Sequence, residues 1–151
     1  MLVRTHWKPT PVAKRVYLLN DEDELFNPLT GQFSRIRSIE TFRNQPVFRL
    51  ATDNAACGYS SSSHPIIRHH SDTEGISVGE IGRGDGVLTW SEANGFAETT
   101  VEYADDFMQF GSVAQIELAE GHIYAYSNSA AGPFIVCHNS KEPEGGGPKF
   151  V

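Results

Sequence analysis

The sequence has little basic charge and no long apolar run, the features that mark nucleic-acid-binding proteins and membrane proteins. It contains 12 lysines and arginines against 19 aspartates and glutamates, a formal net charge of −7, whereas a nucleic-acid-binding surface needs a basic patch. No apolar run approaches the length that crosses a membrane, and no charged-then-apolar leader opens the chain. We therefore expect neither a nucleic-acid partner nor a membrane partner, and we expect a monomeric, cytoplasmic protein.

Cysteine is also scarce. The two cysteines, Cys57 and Cys137, are far apart and form no C-x-x-C pair. They are compatible with buried thiols, reactive thiols or one disulfide, and a buried thiol is the default state of an intracellular cysteine.

A long helical period is missing as well. Fourteen glycines and eight prolines divide the 151 residues into short apolar segments, which predicts one all-β domain with a core. The predicted strands are 16–19, 33–39, 46–52, 86–90, 99–103, 112–118, 122–126 and 134–137. The segments 112–118 and 122–126 are predicted to form a hairpin around Glu120-Gly121. Weak helical signals lie at 78–81 and 105–110.

The composition changes near the C-terminus. Residues 141–151 are rich in glycine, proline and charge, which is typical of a linker. We therefore predict a domain at 1–140 followed by a flexible tail at 141–151.

Histidines suggest a metal site only weakly. His64, His69 and His70 are close in sequence, and imidazole is a common zinc ligand. Their spacing is irregular, however, and the sequence contains no HExxH motif. We predict no metal and no cofactor, and a small metal-dependent hydrolase remains a minor alternative.

The segment 134–140 carries the strongest chemical signal. Four mostly apolar residues predict a short buried strand, and His138, Asn139 and Ser140 follow it. An asparagine side-chain amide can attack its own backbone carbonyl, close a succinimide and break the bond to the next residue, while an imidazole protonates the departing amine. The same three residues are also compatible with an ordinary polar turn.

The order of four motifs resembles that of Hint domains, the superfamily of inteins and bacterial intein-like autoprocessing domains. In chain order the motifs are Ser61-x-x-His64-Pro65 after a strand and turn, a Gly-Asp turn before the strand at 86–88, the alternating segment 113–118 followed by His122, and the closing 136–140. The first motif normally has threonine where this chain has Ser61. The resemblance covers roughly 7–140.

This resemblance implies a compact, all-β, horseshoe-like Hint fold with pseudo-two-fold symmetry. It implies that His122 and His138 assist cyclisation of Asn139. It also implies that the partners are flanking polypeptide segments in cis, with Ser140 as the first residue of the downstream flank.

The resemblance further implies an upstream reaction, at which Ser61 and His64 would activate a scissile peptide. Two departures from the family pattern predict that this N-terminal acyl shift is impaired or absent. Met1 stands where the family has cysteine or serine, and a thioether cannot carry an ester. Gln115 stands where inteins commonly have aspartate. The implied site residues are thus Asn139, His138, His122, Ser140, His64 and Ser61, with Gln115 and Cys137 in supporting positions.

Three hypotheses follow. The first is a single-turnover autoprocessing domain that cleaves at the Asn139–Ser140 junction. The second is a degenerate Hint fold that serves as a non-catalytic structural or binding module, and the third is the metal-dependent hydrolase.

Overall fold

The computed structural model describes residues 1–5, 10–139 and 149–150, and nearly all of their regular structure is β. Twelve strands form one sheet in this part of the chain, which confirms the predicted all-β class. The strands are β1 Leu2–Val3, β2 Val12–Ala13, β3 Glu24–Asn27, β4 Gln32–Thr52, β5 Cys57–Ser60, β6 Pro65–Ile66, β7 Ile76–Ser77, β8 Gly86–Ser91, β9 Gly95–Leu118, β10 Ile123–Tyr126, β11 Phe134–His138 and β12 Lys149–Phe150, with 3₁₀ helices at Val16–Leu18 and Val78–Glu80.

Two very long strands form the backbone of the sheet. β4 has 21 residues and β9 has 24, whereas most strands have about 3–10. They pair antiparallel from Ile36 opposite Leu118 to Thr52 opposite Val101, and the register shifts at four places. Each shift marks a bulge or irregularity, which bends a strand and increases its twist. The long pair can therefore curve along its length.

The sheet order brings the last large strand into the middle of the molecule. The order is β2-β1-β3-β4-β9-β8-β11-β6-β7, β10 pairs with β11, and β5 and β12 pair with β4. β11 is thus covered by β10 on one edge and by β8 and β6 on the other. Its first four residues are buried and His138 is half-buried, so β11 carries the chain from the core to the surface at Asn139.

The main core cluster joins the two long strands to β10 and β11. It includes Leu50, Ile116, Tyr124 and Ile135, each at most 1% exposed. Predicted apolar positions on β9 also face inward, because Ile116 and Leu118 are buried. No helix in the described residues is long and apolar enough to cross a membrane.

Several predicted strands are parts of longer ones. The predicted strands 33–39 and 46–52 both belong to β4, and 99–103 and 112–118 both belong to β9. The helical signal at 105–110 is wrong, because these residues continue β9. Bulges let a strand pass the polar and proline positions that the sequence presents as breaks.

The predicted strand at 16–19 is wrong. Val16–Leu18 form a 3₁₀ helix with no buried residue, and Tyr17 is 73% exposed. Val16, Tyr17 and Leu18 are therefore outside the core, whereas Leu19, directly after the helix, is partly buried against the main cluster. The helical signal at 78–81 corresponds to the second 3₁₀ helix, Val78–Glu80.

The predicted hairpin of 112–118 with 122–126 is also wrong. The segment 123–126 is a strand, but β10 pairs with β11 rather than β9. All four residues of β10 are buried, and pairing with the equally buried β11 allows both strands to join the core. Ser140, residues 141–148 and the segment 6–9 lie outside the described residues.

Gly58 allows a close contact between β5 and β10. A Cβ atom at this position would overlap the Tyr126 ring, with Cδ2 at 2.8 Å. The ring is itself buried against His64, so it has little room to withdraw. We expect Gly58→Ala to lower the free energy of unfolding by about 1–3 kcal/mol, the usual cost of overpacking, as measured by urea denaturation.

Gly86→Ala is the matched control. A Cβ atom there has its nearest neighbour, the Thr99 carbonyl oxygen, at 4.0 Å, so we expect little change. Equal stability of the two variants would contradict the tight packing of Gly58 against Tyr126.

Candidate functional site

Asn139, at the end of β11, is held by three contacts. Its backbone N–H donates to the His122 carbonyl at 2.8 Å. Its side-chain Oδ1 accepts from the Leu118 backbone N–H at 3.2 Å, and its Nδ2 lies 2.7 Å from His122 Nδ1. Main chain and side chain are therefore both fixed, by the last residue of β9 and by the turn that joins β9 to β10.

These contacts determine the orientation of the amide and the protonation of the imidazole. Because the Leu118 N–H is a donor, it requires the amide oxygen, and the amide nitrogen must then face His122. The amide NH₂ group is a donor only, so His122 Nδ1 must accept with its lone pair. In this arrangement His122 is neutral, with its proton on Nε2, and its Nδ1 is positioned to receive a proton from the Asn139 amide.

The backbone of His122 adopts an uncommon conformation. Its φ is +53°, and the preceding Gly121 has φ +76°. Left-handed backbone is unfavourable for most side-chain-bearing residues, although histidine is enriched there among them. Two consecutive left-handed residues reverse the chain between β9 and β10, and they direct both the carbonyl and the ring of His122 toward Asn139. The strained residue is thus also the one that makes two of the three contacts.

His138 lies next to the same imidazole. The His122 and His138 rings are stacked, with centroids 5.6 Å apart and an interplanar angle of 22°. The structure therefore brings together three of the predicted site residues, Asn139, His138 and His122.

Cys137 supports this group from the core. It is fully buried, and its thiol donates to the Tyr124 carbonyl at 3.5 Å. Burial raises the pKa of the Cys137 thiol well above its ordinary value, so it is a neutral core residue. Cys57 is half-buried, and both cysteines are free thiols, which excludes the disulfide left open by the sequence.

Ser61 and His64 form a second group. The His64 backbone N–H donates to the Ser61 carbonyl at 3.2 Å, so the two residues close one tight turn. The Ser61 hydroxyl lies 3.3 Å from the Ser63 hydroxyl. The run of serines is thus an ordered turn rather than the flexible loop that its composition also allowed.

His64 is buried between aromatic rings. It is 4% exposed, and its ring meets Tyr126 edge-on at 4.8 Å and Tyr124 at 6.1 Å between centroids. Burial lowers the pKa of His64 to about 4, because the charged imidazolium loses its hydration. At neutral pH this imidazole is uncharged, so it can accept a proton or a hydrogen bond but cannot act as an acid.

A cavity of about 510 Å³ opens beside His64. Tyr126 lines it, and the Tyr126 hydroxyl is buried and has no hydrogen-bond partner among the described residues. Burial also raises the pKa of Tyr126, so the phenol stays protonated. The lining residues are Ser60, Ser61, His64, Tyr124, Tyr126 and Met1, among others.

The two groups lie along the same strand. β10 begins directly after His122 and then presents Tyr124 and Tyr126 to His64.

Gln115 is on β9, opposite Glu40 of β4, and its Oε1 is buried without a hydrogen-bond partner among the described residues. The predicted site residue Ser140 lies outside the described part of the chain.

A metal site has no ligand set in the described residues, where no group of three histidine, cysteine, aspartate or glutamate side chains could hold an ion. His70 instead lies edge-on to Phe96, with centroids 4.8 Å apart. The metal-dependent hydrolase therefore gains no support from the geometry.

Sequence reasoning missed three contributors to the site. Leu118 acts through its backbone N–H, which no side-chain pattern can reveal. Tyr124 and Tyr126 lie two residues apart on one strand, so the alternation of a β-strand places them on the same face. That spacing is the sequence signal that could have identified both tyrosines as contacts of one other side chain, which in the structure is His64.

Solved inteins have the same fold as this chain. A DnaB intein from Synechocystis sp. PCC 6803 superimposes with a TM-score of 0.67 and 12% identity, covering 93% of this chain and 94% of that one. The gp41-1 intein has a TM-score of 0.65 and 14% identity, with 91% and 93% covered. The VidaL intein has a TM-score of 0.59 and 19% identity, with 79% and 71% covered. No protein-family model and no curated protein matches the sequence.

These likenesses show that the chain has the Hint fold of inteins, as the order of its motifs predicts. At such low identities they show the fold alone. The chemistry has to be argued from the residues of this chain.

The low pKa of His64 predicts an acid-sensitive fold. The imidazole titrates near 6.5 when unfolded and near 4 when folded, so between these values the unfolded state binds more protons. Stability should therefore be highest above pH 6.5 and fall as the pH is lowered toward 4, with a contribution of about 3 kcal/mol from this residue. Urea denaturation across this range should show a clearly smaller loss in His64→Phe.

The exposed His69 supplies the control, and His69→Gln should keep the wild-type pH dependence. If His64→Phe loses as much stability as the wild type between pH 7 and pH 4, His64 is not the buried neutral group described above.

Proposed function

We propose that this chain is an intein-like autoprocessing domain that breaks the Asn139–Ser140 peptide bond by cyclisation of Asn139. The observation that carries the proposal is the 2.7 Å contact between Asn139 Nδ2 and His122 Nδ1, with Oδ1 held by the Leu118 N–H. An amide nitrogen is a weak nucleophile, and this contact offers it a base. The Hint fold supports the same conclusion at the level of architecture.

The proposed reaction balances without a cofactor. Asn139 Nδ2 forms a bond to its own backbone carbonyl carbon as its proton passes to His122 Nδ1. The bond from that carbon to the Ser140 nitrogen then breaks, and the departing amine takes a proton from an imidazolium. The products are a C-terminal succinimide on Asn139 and a free amine on Ser140.

His138 is the proposed partner of His122 in the second step. The two stacked rings place a second imidazole beside the reacting residue, and His138 directly precedes Asn139. One imidazole that accepts a proton and another that donates one would serve both halves of the reaction, as general acid–base catalysis requires. Each chain would react once, on itself.

We further propose that the upstream half of the chemistry is impaired in this chain. His64 and Ser61 lie at a cavity that also contacts Met1, which supports a position near an upstream peptide. The Met1 thioether cannot accept an acyl group as a thiol or hydroxyl does. Gln115 offers a hydrogen bond but no ionisable group.

A binding role is the second candidate. The cavity beside His64, with an unpartnered Tyr126 hydroxyl in its wall, favours a Hint fold that holds a flanking polypeptide in cis without cleaving it. In either case we propose a monomer without nucleic-acid or membrane partners, located in the cytoplasm. The two candidates differ in one observable, which is the mass of the chain after incubation.

Asn139→Ala should abolish cleavage, because it removes the nucleophile. Purified wild-type protein should lose Ser140–Val151 with time and leave a chain one water lighter than the corresponding acid, as read by intact-mass spectrometry. Asn94→Ala, in the exposed turn between β8 and β9, should cleave like the wild type. A wild-type chain that stays full length across pH and thiol conditions would favour the binding role.

His122→Asn tests the proposed base separately. Asparagine tolerates the left-handed backbone at this position, so the fold should persist. Loss of a positioned general base typically slows a reaction about 10²–10⁴-fold, and the rate of peptide release should fall by that factor. His69→Asn should release the peptide at the wild-type rate, and an unchanged rate in His122→Asn would refute the role of this imidazole.

A further inference from the structure

Ser34, on β4, is bonded to the turn that carries His122. Its side chain is 4% exposed although the residue is polar. The Ser34 hydroxyl donates to the Glu120 carbonyl at 2.6 Å and accepts from the Glu120 backbone N–H at 3.2 Å. One buried side chain therefore closes both backbone hydrogen-bonding groups of a residue 86 positions away in the sequence.

This contact continues the ladder between β4 and β9 after its regular pairing ends. The register ends with Ile36 opposite Leu118, and the Ala119 N–H then donates to the Arg35 carbonyl at 2.9 Å. The main chain of Ser34 is paired with β3. The side chain of Ser34 therefore provides the next bond between β4 and the segment that follows β9.

The turn depends on such bonds because little of it is buried. Glu120, Gly121 and His122 are all exposed, and the last two have left-handed φ values of +76° and +53°. Left-handed backbone is unfavourable for a residue with a side chain, and it persists only where the surrounding structure holds it. The Ser34 hydroxyl secures the residue that directly precedes this left-handed pair.

A second residue of the same hairpin packs against the turn. A Cβ atom on Gly121 would lie 3.3 Å from the Nδ2 of Asn27, the last residue of β3, which is 5% exposed. Asn27 is itself fixed, because its Oδ1 accepts from the Leu29 N–H and its carbonyl accepts from the Gly31 N–H, both at 2.9 Å. The hairpin of β3 and β4 is therefore a platform for the main chain that leads into His122.

The position of His122 decides two contacts of Asn139. The His122 carbonyl accepts from the Asn139 N–H at 2.8 Å, and His122 Nδ1 lies 2.7 Å from Asn139 Nδ2. Glu120 is two residues before His122, so a shift of the Glu120 main chain moves both acceptors together. A displacement of about 1 Å can slow a positioned reaction about 100-fold. The anchor of Glu120 can therefore control the cyclisation rate without contacting Asn139.

We propose that Ser34 is a positioning residue for the Asn139 site, which acts by holding Glu120 and, through Gly121, the left-handed His122. Its hydroxyl takes no part in bond formation or proton transfer. The consequence for the reaction rests on the cyclisation proposed above, whereas the consequence for the geometry of His122 is independent of it.

Thr52 provides a matched control at the opposite end of the same ladder. It is 3% exposed, and its hydroxyl accepts from the Ala56 N–H at 3.2 Å and lies 3.4 Å from the Ala56 carbonyl oxygen. Thr52→Val therefore removes a buried hydroxyl that contacts both backbone groups of one residue, as Ser34→Ala does. The turn that it loosens does not carry His122.

The first test uses the uncleavable Asn139→Ala chain, in which the backbone N–H at position 139 can still donate to the His122 carbonyl. Amide hydrogen exchange at this position, read by NMR, should become about tenfold faster with Ser34→Ala. Thr52→Val should leave it unchanged and should accelerate exchange at Ala56 instead. The amides of β8 should stay protected in both variants, which checks that the fold is retained. Unchanged exchange at position 139 in Ser34→Ala would overturn the positioning role.

The second test is a double-mutant cycle on the release of Ser140–Val151, read by intact-mass spectrometry. With His122 present, Ser34→Ala should slow release about 10–100-fold, and Thr52→Val should leave the rate unchanged. In the His122→Asn chain, Ser34→Ala should slow release by less than about threefold, because residues that act through one another have non-additive effects.

Equal slowing by Ser34→Ala in both backgrounds would overturn the role of Ser34 in positioning His122. A wild-type chain that releases no peptide would refute the cyclisation instead, and the exchange experiment would still decide whether Ser34 holds His122 in place.

Discussion

The antiparallel ladder between β4 and β9 is the constraint on which the rest of the structure depends. One end of it, at Ile36 and Leu118, supplies the backbone N–H that holds the Asn139 amide oxygen. The same β4 offers its second side to β3, β5 and β12. Four register shifts bend this pair, so a ladder much longer than an ordinary strand can still surround one core.

The site at Asn139 depends on position more than on charge. A neutral imidazole and one main-chain N–H orient a neutral amide, and the left-handed His122 backbone makes this possible. Such fixed placement is what the proposed cyclisation of Asn139 requires, because an intramolecular reaction is fast only when its groups are held in a productive geometry. The buried His64 follows the same principle, because its surroundings hold it uncharged.

Local sequence patterns predicted well which segments form strands, but they predicted poorly which strands pair with each other. Apolar residues bounded by turn residues identified β8 and β11, and alternation identified the inward residues of β9. The pairing of β10 with β11 instead of β9 could not be read from spacing, because it arises when two fully buried strands cover each other. The strand predicted at 16–19 is wrong for the opposite reason, since Val16, Tyr17 and Leu18 are exposed.

The sequence by itself determined which reactive groups are present and their order: an asparagine between histidine and serine, a second histidine upstream, and a thioether at Met1. It also determined the fold class, since strands and turns are local properties. Only the tertiary structure decided that His122 Nδ1 faces the Asn139 amide and that the Leu118 N–H fixes its orientation. These contacts join residues 17 and 21 positions apart, so they form only when β11 lies beside β10 and the end of β9.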